Sequence, residues 1–564
     1  MRFSLALAAL AATVVLCPRD GAAQSSPRST PPRADLVVVN ARIYTVDDGH
    51  PRAQALAVRD GLVQFVGSER EARTLIGPQT RVVDAHGQTV IPGMVDAHGH
   101  LTGLGTALRT VDLVDTRSYD EVIARVAARA RTAAPGSWVT GRGWDQNDWG
   151  DTRFPTHDAL SRAVPNNPVV LERIDGHAVL ANAAAMKAAG ITAQTRDPAG
   201  GRIERDANGN PTGVFVDNAQ GLVRRAQPPE TRDEVRAGID TAIKEMHRWG
   251  LVGMHDAGEP RAAIDLFEEM AKAGQFDIRG YILIGDDSAA IAHYFEVGPR
   301  SALYGGHVWV RAIKLYADGA LGSRGAALLE PYSDDPKNNG LLVSTPAHLQ
   351  AVAIAALRHG FQVATHAIGD RGNRVVLDAY EAALDSVPTS DHRFRIEHAQ
   401  ILNHDDIPRF AQLGVIPSMQ AVHETSDMYW APSRLGYGRL FGAYAWRSLL
   451  NTGVIIPNGS DFPVEGVNPL RSFHSAVSRQ DADNWPPGGW FPAERMTRDE
   501  ALKSMTIWPA FAAFQEKEMG SLTVGKYADF VILDRDIMTV PVEDILGTRV
   551  LATYIGGRAV YTAP

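Results

Sequence analysis

The sequence predicts an α/β chain: a (β/α)8 barrel of TIM type, a small β-sandwich built from both chain ends, and a long insertion after the first barrel strand. Three observations predict it. Eight apolar, β-branched runs alternate with Ala-rich amphipathic stretches such as TPAHLQAVAIAALRH (345–359), as repeated βα units require. Short strand-and-turn patterns occupy both ends of the chain. The gap between the first and second runs, about 104–245, is far longer than a βα connection needs.

At the N-terminus, Arg2 precedes an apolar run from Leu5 to Cys17, and Gly21-Ala22-Ala23 follows. The run is too short to span a bilayer but suits a signal-peptide core with small residues at the cleavage site. Residues 1–23 are therefore expected to be a signal peptide, and the mature protein periplasmic or secreted. A lipoprotein site at Cys17 is the rival reading, weakened by Leu16 where such sites take a small residue. Cys17 is the sole cysteine, so cleavage leaves a chain without disulfides. Residues 24–34, QSSPRSTPPRA, read as a disordered linker.

Residues 35–90 alternate β-branched residues with turns such as Arg59-Asp60-Gly61, and GSLTVGKYADFVILDRD and VLATYIGGRAVY near the C-terminus have the same character. The expectation is a composite sandwich of 35–90 plus 516–564. Residues 91–515 then form the barrel, with its strands at VDAHGH (95–100), 250–258, 276–285, 307–319, 361–370, 393–400, 414–420 and 453–463, and a lid or subdomain at about 104–245. No later run of eighteen apolar residues argues for a membrane span after cleavage. A net charge of −9 without a Lys/Arg-rich block offers nothing to nucleic acid, so a small molecule is the expected partner. The sandwich edges leave a homo-oligomer open.

In such barrels the reactive residues sit where the strands end in loops. Here His98 and His100 end the first run, one residue apart and so on the same face of a strand. Lys314 lies in the fourth run, His366 ends the fifth, His398 the sixth and Asp461 the eighth. Imidazoles and a carboxylate suit a borderline divalent ion such as zinc with a position left open for water. Lys314 is the odd member, because an ammonium has no lone pair to offer.

As a set, VDAHGH, KLYADGALGSR, HAIGD, RIEHAQ and GSDFPVE, in this order, resemble the metal-dependent amidohydrolase superfamily. They are most similar to its YtcJ-like branch (amidohydrolase family 3), which includes N-substituted formamide deformylase. GRGWD (141–145), RIDGH (173–177), PTG (211–213) and Gly525-Lys526-x-Ala528-Asp529 extend the resemblance over essentially the whole chain from Asp35.

The resemblance implies two divalent metal ions, zinc by ligand softness: His98, His100 and Asp461 on the first, His366 and His398 on the second, and Lys314 bridging as its carbamate. It implies hydrolysis of a non-peptide C–N bond, with Asp461 moving the proton. One departure is Gly325, where a Thr is expected. A single-metal enzyme acting on an ester or lactone, with Lys314 unmodified, is the alternative, and a binding or scaffold protein without catalysis is a third. Trp144, Asp145, Asp175 and His177 in the insertion, and Asp318, Arg324 and His423 in the barrel loops, are the expected substrate contacts. Asp427 could also face the pocket, while His255 and Asp256 are expected to orient a ligand imidazole.

Overall fold

The computed structural model describes residues 32–564. The expected signal peptide and all but the end of the linker lie outside the described residues.

Both chain ends build the sandwich. One sheet runs Leu62–Gly67, Ala55–Arg59, Leu36–Val39, Arg81–Asp84; the other runs Arg558–Thr562, Val550–Ile555, Phe530–Leu533, Thr89–Pro92, Arg42–Tyr44, Arg52–Ala53. Phe530–Leu533 lies antiparallel to Thr89–Pro92, so the C-terminal strands complete a sheet begun near the N-terminus. Strand periodicity of two decides the cores. Leu36 and Val38 face Val90, Phe530 and Ile532 between the sheets, whereas Val37 and Val39 face the short helix Glu69–Arg73 through Ala72.

Seven parallel strands form the barrel wall in chain order: Met94–Gly99, Leu251–Glu259, Arg279–Ile284, Val308–Tyr316, Gln362–Ala367, Arg395–His398 and Ile416–Ser418. The eighth run closes the wall without becoming a regular strand. It makes one parallel bridge, Met419 to Asn458, and reaches the first strand through Ala97 N to Asn458 O, Asp461 N to His98 O and His100 N to Phe462 O. Pro457 and Pro463 supply no N–H to a ladder, which explains the irregularity. Asp96 adds a side-chain clamp, accepting from Ser460 N and Ser460 Oγ.

The insertion has its own mixed sheet, ordered Gly201–Arg205, Pro211–Asp217, Ala178–Ala181, Val169–Arg173, Val139–Trp144, Val111–Asp112. Helices Tyr119–Ala130 and His157–Ala163 cover one face and Ala183–Ala188 the other. The chain returns through helix Arg232–Arg248, started by a Thr231/Glu234 capping box. This helix crosses Leu101–Ala107 so closely that a Cβ at Gly105 would lie 2.6 Å from the Gly238 carbonyl carbon. The contact is open only to glycine there and leads directly into barrel strand Leu251–Glu259.

Sandwich and barrel are joined by a buried bidentate pair: Arg279 Nε and Nη2 donate to Asp529 at 2.9 and 3.0 Å, with the guanidinium stacked over Tyr527. Asp529 also accepts from Gly556 N, so the GKxAD motif serves this joint. Removing one partner of a buried pair strands the other charge. Asp529→Ala is expected to lower unfolding free energy by about 3–5 kcal/mol, measured by urea denaturation; a change within about 0.5 kcal/mol, the usual range for a surface substitution, would refute this role.

Candidate metal centre

The strand ends bring His98, His100, Lys314, His366, His398 and Asp461 to one inner cavity of about 400 Å³. The ring centroids of His98 and His398 are 4.9 Å apart, and those of His366 and His398 4.6 Å. Lys314 Nζ lies 3.3 Å from His98 Nε2. Asp461 Oδ1 lies 3.1 Å from His100 Nε2 and 3.6 Å from His98 Nε2.

Each imidazole is aimed by a partner behind it. His98 donates from Nδ1 to Glu397, and His398 from Nδ1 to Gln420 Oε1 at 2.7 Å, which leaves both Nε2 lone pairs facing the cavity. His366 turns the other way: Nε2 lies 3.4 Å from the Gly319 carbonyl and 3.6 Å from Asp318, so Nδ1 is its free ligand atom. Burial lowers His98 to about 4, with Lys314 adding to the effect, and burial drives His366 and His398 well below the ordinary histidine value. All three are neutral at pH 7, the form that can bind metal. Burial also lowers Lys314 to about 8. Burial alone would raise Asp461, but His98, His100 and His423 outweigh it and hold the carboxylate ionised.

The donor set fits a divalent ion. Ligand atoms of His98, His398 and Asp461 all lie within 4.8 Å of one another, and Asp461 Oδ1 is buried without a hydrogen bond. Backbone strain collects here as well, with positive φ at His398 (73°) and Asp461 (59°), conformations that cost of order 1–3 kcal/mol each.

The amidohydrolase family profile matches residues 81–561. The chain is 34% identical to the putative amidohydrolase YtcJ of Bacillus subtilis, over 92% of this chain and 98% of that protein. It is 31% identical to N-substituted formamide deformylase of Arthrobacter pascens, over 93% and 97%. An uncharacterised metal-dependent hydrolase from Pyrococcus horikoshii superposes with a TM-score of 0.73 at 26% identity, covering 90% of this chain and 99% of that one. The chain belongs to the amidohydrolase family. Within the family it falls in the YtcJ-like branch, and it is a metal-dependent hydrolase by that membership.

The other expected contacts of this amidohydrolase divide. Asp145, Asp175, His177 and His423 line an outer cavity of about 960 Å³ that opens onto the metal centre, beside Arg173 and Trp430. Asp145 and Asp175 are both bound to the buried Arg173 guanidinium. His423 Nε2 lies 3.4 Å from Asp461 Oδ2. Asp318 lines the inner cavity, yet its carboxylate is filled by the Ile368, Gly369 and Ala327 N–H groups, so it shapes the loop after Lys314 and backs His366.

Three expectations are corrected, those for Trp144, Arg324 and Asp256. Trp144 is fully buried inside the insertion, packed against Trp149 and Phe154 with Nε1 donating to Leu171 O, because its side of the strand faces the helices. Arg324 pairs with Asp334 and lines neither cavity. Asp427 lines the outer cavity and accepts from Gln400. His255 acts at one remove: its Nδ1 accepts from Arg395, which in turn binds Glu397. Asp256 accepts from Leu101 N and so holds the loop after His100, not an imidazole.

Glu397 and Asp217 were missed. Glu397 had a signal, since Arg395 and Glu397 are opposite charges two positions apart, hence on the same face of a strand in the barrel wall, and must pair inside it. Asp217 had none, because its partner His177 is 40 residues away. Glu397→Gln is expected to weaken metal binding about 10–100-fold, the usual effect of losing a ligand's supporting partner, read by competition with a chelator; unchanged affinity would contradict the role given to Glu397.

Proposed function

We propose that this amidohydrolase hydrolyses a non-peptide C–N bond, such as that of an N-substituted formamide or related amide, with two divalent ions held by His98, His100, His366, His398, Asp461 and carbamylated Lys314. The observation that carries the reading is Asp461: an ionised, buried carboxylate inside the ligand cluster, with one oxygen free of hydrogen bonds and the other beside His423. Bound divalent ions supply a water acidic enough to deprotonate near neutral pH and a Lewis acid for the substrate carbonyl.

The chain's own residues manage the protons. Asp461 accepts the proton that the attacking water loses, and returns it to the departing nitrogen as the C–N bond breaks, giving a carboxylic acid and an amine. An amine is a poor leaving group without that proton, which is why C–N cleavage needs a positioned acid. The deformylase relative supports the same bond type. Lys314, its amine depressed to about 8, is neutral often enough to add carbon dioxide and release a proton, which turns it into an anionic oxygen donor. Zinc is the proposed ion, from the predominance of imidazole ligands.

Asp461→Asn at full metal load is expected to lower kcat for an N-substituted formamide by about 10²–10⁴-fold, read by amine release. Near-parental turnover would overturn the proton-transfer role. Export is also proposed, on the Arg2 to Ala23 pattern. Protein recovered from a periplasmic fraction should begin at Gln24; recovery only from cytoplasm, still starting at Met1, would contradict it.

A further inference from the structure

The insertion sends one histidine to the metal centre that is not among the expected ligands. His177 follows strand Val169–Arg173, and its ring centroid is 5.1 Å from that of His366. Its Nδ1 donates to Asp217 Oδ1 at 2.7 Å, and its carbonyl accepts from Asp217 N at 2.8 Å, so one residue grips both ring and backbone. Among the described residues Nε2 has no hydrogen-bond partner, and the ring borders both the inner and the outer cavity.

Asp217 is built for this grip at visible expense. It ends strand Pro211–Asp217 at φ 49°, ψ −127°, a conformation that a non-glycine residue adopts only when its surroundings impose it. Its side chain is 2% exposed and Oδ2 has no partner. The loop after Lys314 makes room for it: a Cβ at Gly319 or at Gly325 would lie 2.7 Å from Oδ2. Gly325 is the position where the family resemblance led to a Thr. In this chain the carboxylate of Asp217 takes that space, and the insertion is locked to the barrel loop beside Lys314.

We propose that His177 is a catalytic residue supplied by the insertion, whose Nε2 contacts the substrate oxygen that gains negative charge during attack, with Asp217 as its positioning residue. This rests on the hydrolase reading given above. The Asp217 carboxylate on Nδ1 favours the ring form with a hydrogen on each nitrogen, which leaves the unpartnered Nε2–H to the substrate oxygen. A fixed donor aimed at developing charge acts mainly on kcat, because the charge is absent from the ground state.

The test has two arms. With an N-substituted formamide and an aryl ester as substrates, His177→Phe is expected to lose about 10²-fold or more in kcat with little change in KM or metal content. His177→Gln, which keeps an N–H of similar reach, should recover part of the loss, and Asp217→Asn and Gly325→Thr should each lower kcat. In calorimetry with methylphosphonate as a stable oxyanion, metal-loaded His177→Phe should bind about tenfold or more weakly than the parent, the effect of losing a hydrogen bond to a charged group. Equal binding by parent and variant, or no binding by the parent, overturns the proposal. Failure of the C–N reading appears separately, as a parent that cleaves the ester and not the formamide.

Discussion

The ion pair between Arg395 and Glu397 lies entirely inside the barrel, with neither side chain exposed, and the metal centre depends on it. Glu397 fixes the His98 ring through Nδ1, while Arg395 donates to His255 Nδ1, Ala97 O and Ser418 Oγ. One guanidinium therefore ties the first, second, sixth and seventh strands together directly beneath the ligands. Burial alone would raise Glu397, but Arg395 and His98 hold it ionised. A buried pair of this kind is a weak source of net stability, since desolvating the charges offsets their attraction. Its value lies in geometry: the ligand imidazole has one tautomer and one direction.

Around that anchor, barrel and insertion each contribute strained residues. His398 and Asp461 have positive φ where they meet the cavity, and Asp217 does so from the insertion. Such conformations persist only when neighbouring contacts over-determine them. Those contacts are visible here: Gln420 behind His398, the Asp461 N to His98 O bond across the closing segment, and the double grip of Asp217 on His177. The sandwich acts more remotely, through Arg279 and Asp529, by fixing the end of the barrel opposite the ligands.

Most of the barrel was legible because buried parallel strands must be apolar on both faces, and such runs stand out between Ala-rich helices. The eighth run was apolar too, but its prolines deny it a ladder, a distinction that composition conceals. Ligand residues were legible for the complementary reason, as polar groups at the ends of apolar runs. Single side chains in loops were not. Trp144 looked like a pocket wall because an indole suits either a core or a cavity, and only the helix Tyr119–Ala130 over its face decides between them. Arg324 has a positive φ that turns it toward Asp334. The His177–Asp217 pair requires three strands and a helix to be folded before its members meet.

The central proposal is that six side chains on one barrel mouth would hold two metal ions, with carbamylated Lys314 among the ligands. The most direct measurement is metal content per chain of the purified protein, by plasma mass spectrometry, beside the Lys314→Ala variant. The account predicts two equivalents in the parent and a loss of at least one in the variant. One tightly held equivalent in both proteins would contradict it, and would make Lys314 a structural amine beside a single-metal site.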